Sequence, residues 1–274
     1  MQSEQPIGIF DSGVGGLSIA RGIRGLLPAE DVLYIADSRH APYGDKPHDF
    51  ILSRSMALTA YLVEQGAKAV VVACNTVTLA TIRALRERFE VPIVGVEPGV
   101  KPAVLASRSG VIGVLATAST VASPGIRSLI GRFSAGKRVL LQPCPGLADQ
   151  VERLALDTPE TRSLVSRYLE PLIEAGVDTL VLGCTHYPFL TPLIRERVGS
   201  DVEIIETGEA VAREVRRRLA EDDLLRDEFS GAAPGSRLFT SAREAGTQRI
   251  LEALWPYPAA ISVLPGLPSV PART

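Results

Sequence analysis

The sequence predicts an α/β protein of two pseudo-symmetric lobes, each a mainly parallel sheet flanked by helices, with the ligand site in the cleft between them. Short apolar runs alternate with amphipathic stretches along most of the 274 residues, the pattern of strands buried on both faces beneath helices. The pattern also echoes itself. The run Ile7-Gly8-Ile9-Phe10-Asp11-Ser12 is answered 63 positions later by Val70-Val71-Val72-Ala73-Cys74-Asn75-Thr76. In the second half, Ile112-Gly113-Val114-Leu115-Ala116-Thr117 is answered by Leu180-Val181-Leu182-Gly183-Cys184-Thr185-His186, with Thr117 and Cys184 separated by 67 positions. Each half thus offers a strand ending in a polar loop, then a strand ending in cysteine and two polar residues.

Strands are predicted over 7–10, 32–36, 69–73, 92–96, 111–115, 138–141, 179–182 and 202–205. Helical stretches lie between them, as over 50–65, 77–89, 161–175 and 209–219. Pro98 and Gly99 interrupt the rhythm and place the first boundary near 97–99. The expected organisation is residues 1–97 plus 207–274 in one lobe and 98–206 in the other. Residues 221–236 turn charged and then Gly/Pro-rich, and read as a loop. Residues 255–274 hold five prolines and are expected to wrap the surface or lack regular structure.

Composition narrows the class. Hydrophobic residues at 46% and charged residues at 22% suit a globular core that needs no disulfide or metal. A net charge of -2 and a pI near 6.0 argue against a nucleic-acid or membrane-surface binder. No apolar run has the length of a membrane span. The opening Met-Gln-Ser-Glu-Gln-Pro lacks the basic stretch of a signal peptide. Three cysteines do not form an even framework of disulfides, so a reducing cytoplasm with free thiols is expected.

Cys74 and Cys184 are the strongest chemical signals. Each ends a buried-strand run, and the carboxyl ends of strands in open α/β sheets are where ligands bind. Backbone N–H groups of a following helix favour a thiolate there. A buried free cysteine is otherwise a small apolar filler. The paired, echoing positions, each followed by polar residues, favour the chemical reading. Cys144, within Gln142-Pro143-Cys144-Pro145, has no echo and reads as filler.

Asp11-Ser12-Gly13-Val14-Gly15-Gly16 follows a strand and opens a helix, and its glycines would let backbone N–H groups approach a carboxylate or phosphate. Asp37, at the end of the second strand, suits a dinucleotide fold. However, Ser18 stands where the third glycine of that fingerprint belongs, and Asp11 would repel a pyrophosphate. His186 is an acid–base partner or a hydrogen-bonded structural histidine. Ala41-Pro42-Tyr43-Gly44 is a turn whose ring could wall a substrate.

Four strings together, Ile9-Phe10-Asp11-Ser12-Gly13-Val14-Gly15-Gly16-Leu17, Pro42-Tyr43-Gly44, Ala73-Cys74-Asn75-Thr76 and Gly183-Cys184-Thr185-His186-Tyr187-Pro188, resemble the bacterial glutamate racemases of the aspartate/glutamate racemase superfamily. The similarity runs in order from about Ile7 to about Arg217. The resemblance implies interconversion of L- and D-glutamate for peptidoglycan synthesis, without pyridoxal phosphate, metal or nucleotide. It implies Cys74 acting on the D-glutamate face, assisted by Asp11, and Cys184 on the L-glutamate face, assisted by His186. Ser12, Tyr43, Gly44, Asn75, Thr76 and Thr185 match substrate-binding positions, as do Asp11 and His186. Thr117 and Thr120 resemble residues that hold the side-chain carboxylate, and Asp37 and Glu152 match polar positions near the site. A homodimer and, in some members, activation by a peptidoglycan precursor are further implications. The polar segment Ala148-Asp149-Gln150 and the Pro-rich tail depart from the family pattern.

The chemistry agrees with such a pair. The α-proton of an amino acid is weakly acidic, and without an electron-sink cofactor the protein must set a base against the C–H bond and stabilise the charge that develops. Inversion removes a proton on one face and delivers one on the other, so two acid–base groups are natural, and a free thiol with a pKa of about 8.5 is near enough to neutrality. Rival readings are a two-cysteine racemase or isomerase acting on aspartate, hydantoin or maleate, a Cys-His hydrolase using one thiol as nucleophile, and a non-catalytic amino-acid-binding protein.

Overall fold

The computed structural model describes residues 3–227 and 234–267. Its first part runs β1 (Ile7–Asp11), α1 (Leu17–Leu26), β2 (Val32–Ala36), α2 (His48–Glu64), β3 (Ala69–Val72), α3 (Asn75–Arg88) and β4 (Ile93–Gly95). The second part continues α4 (Val100–Ala106), β5 (Val111–Ala116), α5 (Ala118–Ala122), α6 (Pro124–Phe133), β6 (Arg138–Pro143), α7 (Leu147–Glu152), α8 (Pro159–Glu174), β7 (Thr179–Leu182), α9 (Thr191–Val198) and β8 (Glu203–Ile205). The chain closes with α10 (Gly208–Glu221), β9 (Ser236–Thr240), α11 (Ala245–Leu254) and β10 (Ala260–Val263).

The strands form two wholly parallel sheets, ordered β10-β9-β2-β1-β3-β4 and β6-β5-β7-β8. This is the α/β architecture the alternating runs predict. Within it, β2-β1-β3-β4 and β6-β5-β7-β8 have the same order, which is the internal echo in three dimensions. In both sheets the first strand is flanked by the next two, so the chain leaves it in opposite directions. That divergence opens a crevice at the carboxyl ends of β1 and β3, and of β5 and β7.

Alternation along the strands explains the layers. Ile7 and Ile9 of β1 and Val71 of β3 point into one cluster, while Phe10, Val70 and Val72 point into another with α2 and α3. The first cluster also takes Leu115, Leu180 and Leu182 of the second sheet, so one apolar mass joins both sheets. Ile112, Val114 and Val181 fill a third cluster beneath α4 and α6. Capping follows local chemistry: Ser123 and Thr158 accept from the amides of Ile126 and Thr161 just ahead of Pro124 and Pro159.

The tail differs from expectation. Trp255 is buried, and Ala260–Val263 is an edge strand parallel to β9 rather than a surface wrap. β9 pairs with β2, which returns the chain to the first sheet. The expected loop over 221–236 is bounded by the end of α10 and the start of β9; its residues 228–233, like the tail residues 268–274, lie outside the described residues.

Helix α10 follows the second sheet but packs on α1 of the first. Close approach there needs a glycine, because a Cβ at Gly22 would stand 2.8 Å from the Gly208 backbone. We predict that Gly22→Ala lowers stability by about 1–3 kcal/mol through overpacking. Gly25→Ala, on the same helix with open space beside it, should instead stabilise by up to about 1 kcal/mol. Thermal unfolding of the two variants, read against the parent, checks the contrast.

Candidate active site

Both chemical cysteines arrive where the topology sends them. Cys74 follows β3 and caps α3, and Cys184 lies two residues after β7, so each sits at the carboxyl end of the third strand of its sheet. They line one cleft of about 320 Å³ that opens to solvent. Ser12 from the end of β1 and Thr117 and Thr120 from the end of β5 line it too, with Asn75, Thr76, Thr185 and His186 beside the thiols and Tyr43 and Gly44 forming a wall. Pro42, Ala148 and Gly183 complete the lining.

Each thiol begins a chain of hydrogen bonds ending at a carboxylate. On one side the Cys74 thiol donates to Ser12 Oγ at 3.7 Å, and Ser12 donates to Asp11 Oδ1 at 3.4 Å. On the other, Cys184 Sγ lies 3.6 Å from His186 Nδ1, and His186 Nε2 lies 2.6 Å from Glu152 Oε1. Thr185, between Cys184 and His186 in the sequence, ties the second thiol's loop to the first chain, its Oγ1 donating to Asp11 Oδ2 at 3.5 Å. Asp11 itself is wholly buried and backs the cleft rather than lining it. Cys144 lies outside the cleft, in the core, with its thiol donating to the Gln142 carbonyl.

The glycine loop serves a purpose the sequence does not reveal. Its Val14 and Gly16 N–H groups donate to Glu152 Oε1 at 2.7 Å and Asp11 Oδ2 at 2.8 Å. A Cβ at Gly13 would lie 1.8 Å from Glu152 Oε1, and one at Gly15 would lie 2.3 Å from His186 Nδ1. The space expected for a ligand's carboxylate or phosphate is filled by the second lobe's own side chains. Asp37 likewise faces the protein: Arg54 clamps its carboxylate at 2.9 and 2.6 Å, and the Tyr43 hydroxyl donates to it at 2.5 Å. Arg54 escaped sequence reasoning because one arginine within a 17-residue helix has no periodic or motif signal.

Electrostatics make the two sides unequal. Burial, followed by the charge of Asp11, pushes the Cys74 thiol far above its ordinary range. Burial raises Asp11 to about 6, against the pull of the His186 charge and of the Gly16 amide. Burial also opposes a charge on His186, but hydrogen bonds to Cys184 and Glu152 outweigh it and hold the imidazole protonated well above its usual range. One thiol is thus backed by negative charge and the other by an imidazolium.

Two further features fit an amino acid. The hydroxyls of Thr76, Thr117 and Thr120 lie 3.0–3.4 Å from one another, three donors on one patch of the wall. Thr117 and Thr120 are held there because Thr117 caps α5 by accepting from the Thr120 amide. Asn75 Oδ1 is buried with no protein donor among the described residues, although its residue lines the cleft. An acceptor left so costs free energy unless a ligand donor meets it.

A two-sheet parallel fold with one strand-end cysteine from each sheet facing a common cleft defines a class, and the chain belongs to the Asp/Glu/Hydantoin racemase family, whose sequence model matches residues 17–215. Similar relatives include glutamate racemases. That of Methylococcus capsulatus is 54% identical over 255 residues, covering 93% of each chain. The crystal structure of glutamate racemase isoform RacE1 from Bacillus anthracis superposes with a TM-score of 0.87 at 34% identity, over 96% of this chain and 98% of that one. Escherichia coli glutamate racemase, solved in complex with L-glutamate and the activator UDP-MurNAc-Ala, gives 0.83 at 30% identity, over 96% and 100%.

The raised Asp11 has a measurable consequence. Below about pH 4 the carboxyl is protonated in both folded and unfolded chains. Between about 4 and 6 the unfolded chain releases the proton while the folded chain keeps it, so stability falls as pH rises and levels off above the folded value of about 6. The loss is on the order of 3 kcal/mol. Asp11→Asn has no such proton to lose, so its stability relative to the parent should grow by that amount from pH 4 to 7. Urea unfolding across that range checks it, and a constant difference would contradict the burial argument.

Proposed function

We propose that this protein interconverts L- and D-glutamate without a cofactor, using Cys74 and Cys184 as paired acid–base groups, and so supplies D-glutamate for peptidoglycan. The observation that carries the reading is that equivalent strand ends of two sheets bring one thiol each to a single cleft. The relatives' activity supports the substrate.

In the direction from L-glutamate, Cys184 as thiolate takes the α-proton, and the electron pair moves into the α-carboxylate as a carbanion. The Cys74 thiol then gives its proton to the opposite face, forming D-glutamate and leaving Cys74 as thiolate. The reverse reaction starts from that state. The charges around the site fit a resting form with the proton on Cys74, where Asp11 disfavours a second anion, and with Cys184 beside the protonated His186. Glu152 positions His186 and balances its charge. Asn75 Oδ1 accepts from the substrate ammonium, and the Thr76, Thr117 and Thr120 hydroxyls donate to a carboxylate. Tyr43 and Gly44 close the wall. Fixed donors aimed at developing charge supply the largest share of the acceleration.

The reading extends to a cytoplasmic homodimer and to activation by a peptidoglycan precursor, as the family resemblance implies and as the activator in the Escherichia coli complex supports for that relative. Among the described residues no helix is long and apolar enough to cross a membrane.

Circular dichroism of L-glutamate incubated with exhaustively dialysed, chelator-treated protein should decay to zero. Cys74→Ala and Cys184→Ala should each lose about 10³-fold or more in rate, since each removes the base on one face. Cys144→Ala should retain activity. A dead Cys144 variant beside a live Cys74 or Cys184 variant would overturn the pairing.

Asp11→Asn and His186→Asn should affect the two directions unequally, because each serves a different thiol. The enantiomers have equal free energy, so kcat/KM must stay equal in both directions. The difference must appear in kcat and KM separately, and identical changes in both directions for both variants would reduce these residues to substrate holders.

A further inference from the structure

A second crevice lies beside the cleft at the carboxyl ends of β2, β9 and β10, again the end of a parallel sheet where ligands bind. It is open to solvent and is lined by Arg39, His40, Arg54, Ser241 and Arg243, with Leu264 and Leu267 on an apolar wall. Among the described residues no carboxylate lines it, and neither Arg39 nor Arg243 forms an ion pair. His40 is held below its ordinary range first by burial, with the charges of Arg54, Arg39 and Lys46 adding to that against the pull of Asp37. The Ser241 hydroxyl oxygen accepts from the Arg39 amide, which leaves its proton free to donate.

We infer that this crevice binds a phosphate-bearing small molecule and that Arg54 transmits its occupancy to the glutamate cleft. The guanidinium groups of Arg39, Arg54 and Arg243 line this one crevice, and guanidinium groups suit the planar, paired recognition of phosphate oxygens. Arg54 is shared. Its Nε and Nη2 grip Asp37, which in turn accepts from Tyr43, a wall of the cleft. An anion in the crevice competes with Asp37 for the Arg54 charge, loosens the Tyr43 wall and adds negative potential near an anionic substrate. The binding part stands alone; the transmitted effect rests on the proposed activity.

Calorimetry and phosphorus NMR with inorganic phosphate and with pyrophosphate, at constant ionic strength set with chloride, test the site without reference to turnover. Saturable binding is expected in the parent and at least tenfold weaker binding in an Arg39→Gln/Arg243→Gln variant. Both positions are exposed, so folding is not at risk. Tighter binding of pyrophosphate assigns the site to a phosphorylated molecule, and tighter binding of orthophosphate assigns it to free phosphate. In racemisation assays the variant should match the parent in chloride. Phosphate should raise KM for glutamate by about fivefold in the parent alone, and glutamate should weaken phosphate binding by the same factor. No saturable binding of either anion by the parent, or equal binding by the variant, overturns the site. Binding that depends on Arg39 and Arg243 but leaves KM unchanged overturns the transmission through Arg54.

Discussion

The contact on which the rest depends is the docking of the Glu152–His186 pair from the second lobe into the glycine loop of the first. Glu152 accepts the Val14 amide at 2.7 Å and His186 Nε2 lies 2.6 Å away, so one carboxylate joins backbone of one sheet to the imidazole beside the other sheet's thiol. Ser38 donates to the second oxygen of Glu152 at 3.2 Å. These bonds are mostly buried, where an ion pair is strong but where losing one partner leaves a costly charge. They set the distance between the two strand ends, and thereby the width of the cleft. The glycines at 13 and 15 follow from this contact, since a side chain at either would occupy the space of Glu152 or His186.

A single topological rule, used twice, explains why thiols appear there at all. Both sheets diverge from their first strand, and the residues that follow the first and third strands fall at the crevice. In the first sheet those are Ser12 and Cys74; in the second, Thr117 and Cys184. What breaks the symmetry is the link behind each thiol. Cys74 reaches a carboxylate through a hydroxyl, and Cys184 reaches one through an imidazole. A protonated imidazole can share its charge with an anionic sulfur, whereas Asp11 opposes one. The unlike neighbours fit a pair of which one member holds a proton while the other is free to accept it.

Much of this was legible in the sequence, for identifiable reasons. Six of the eight strands of the repeated units are apolar runs buried almost throughout, and such runs are not mistaken for solvent-facing segments; β6 and β8, the half-buried edges of the second sheet, are read from their place in the alternation with helices. β9 and β10 were not legible. Ser236–Thr240 alternates buried and exposed positions, and Ala260–Val263 is a largely exposed edge set among prolines. The thiols could be located because their positions repeat. The hydroxyl wall of Thr76, Thr117 and Thr120 could be named only through family resemblance, because its members come from different lobes. The glycine loop was legible as a close approach but not as to what approaches, and Arg54 not at all. Contacts between lobes depend on how two sheets face each other, which no local pattern encodes.

The central claim is that two thiols act from opposite faces of one substrate, and incubation in D2O tests it most directly with unmutated protein. L-glutamate is supplied, the reaction is stopped at low conversion, and the separated enantiomers are weighed by mass spectrometry. A thiol holds one proton, so a proton returned to the same face is the one just removed, while the opposite face receives solvent deuterium. The account predicts D-glutamate deuterated from the first turnover and recovered L-glutamate still largely protiated. Protium carried into newly formed D-glutamate would mean that one base serves both faces, and would contradict the paired-thiol account.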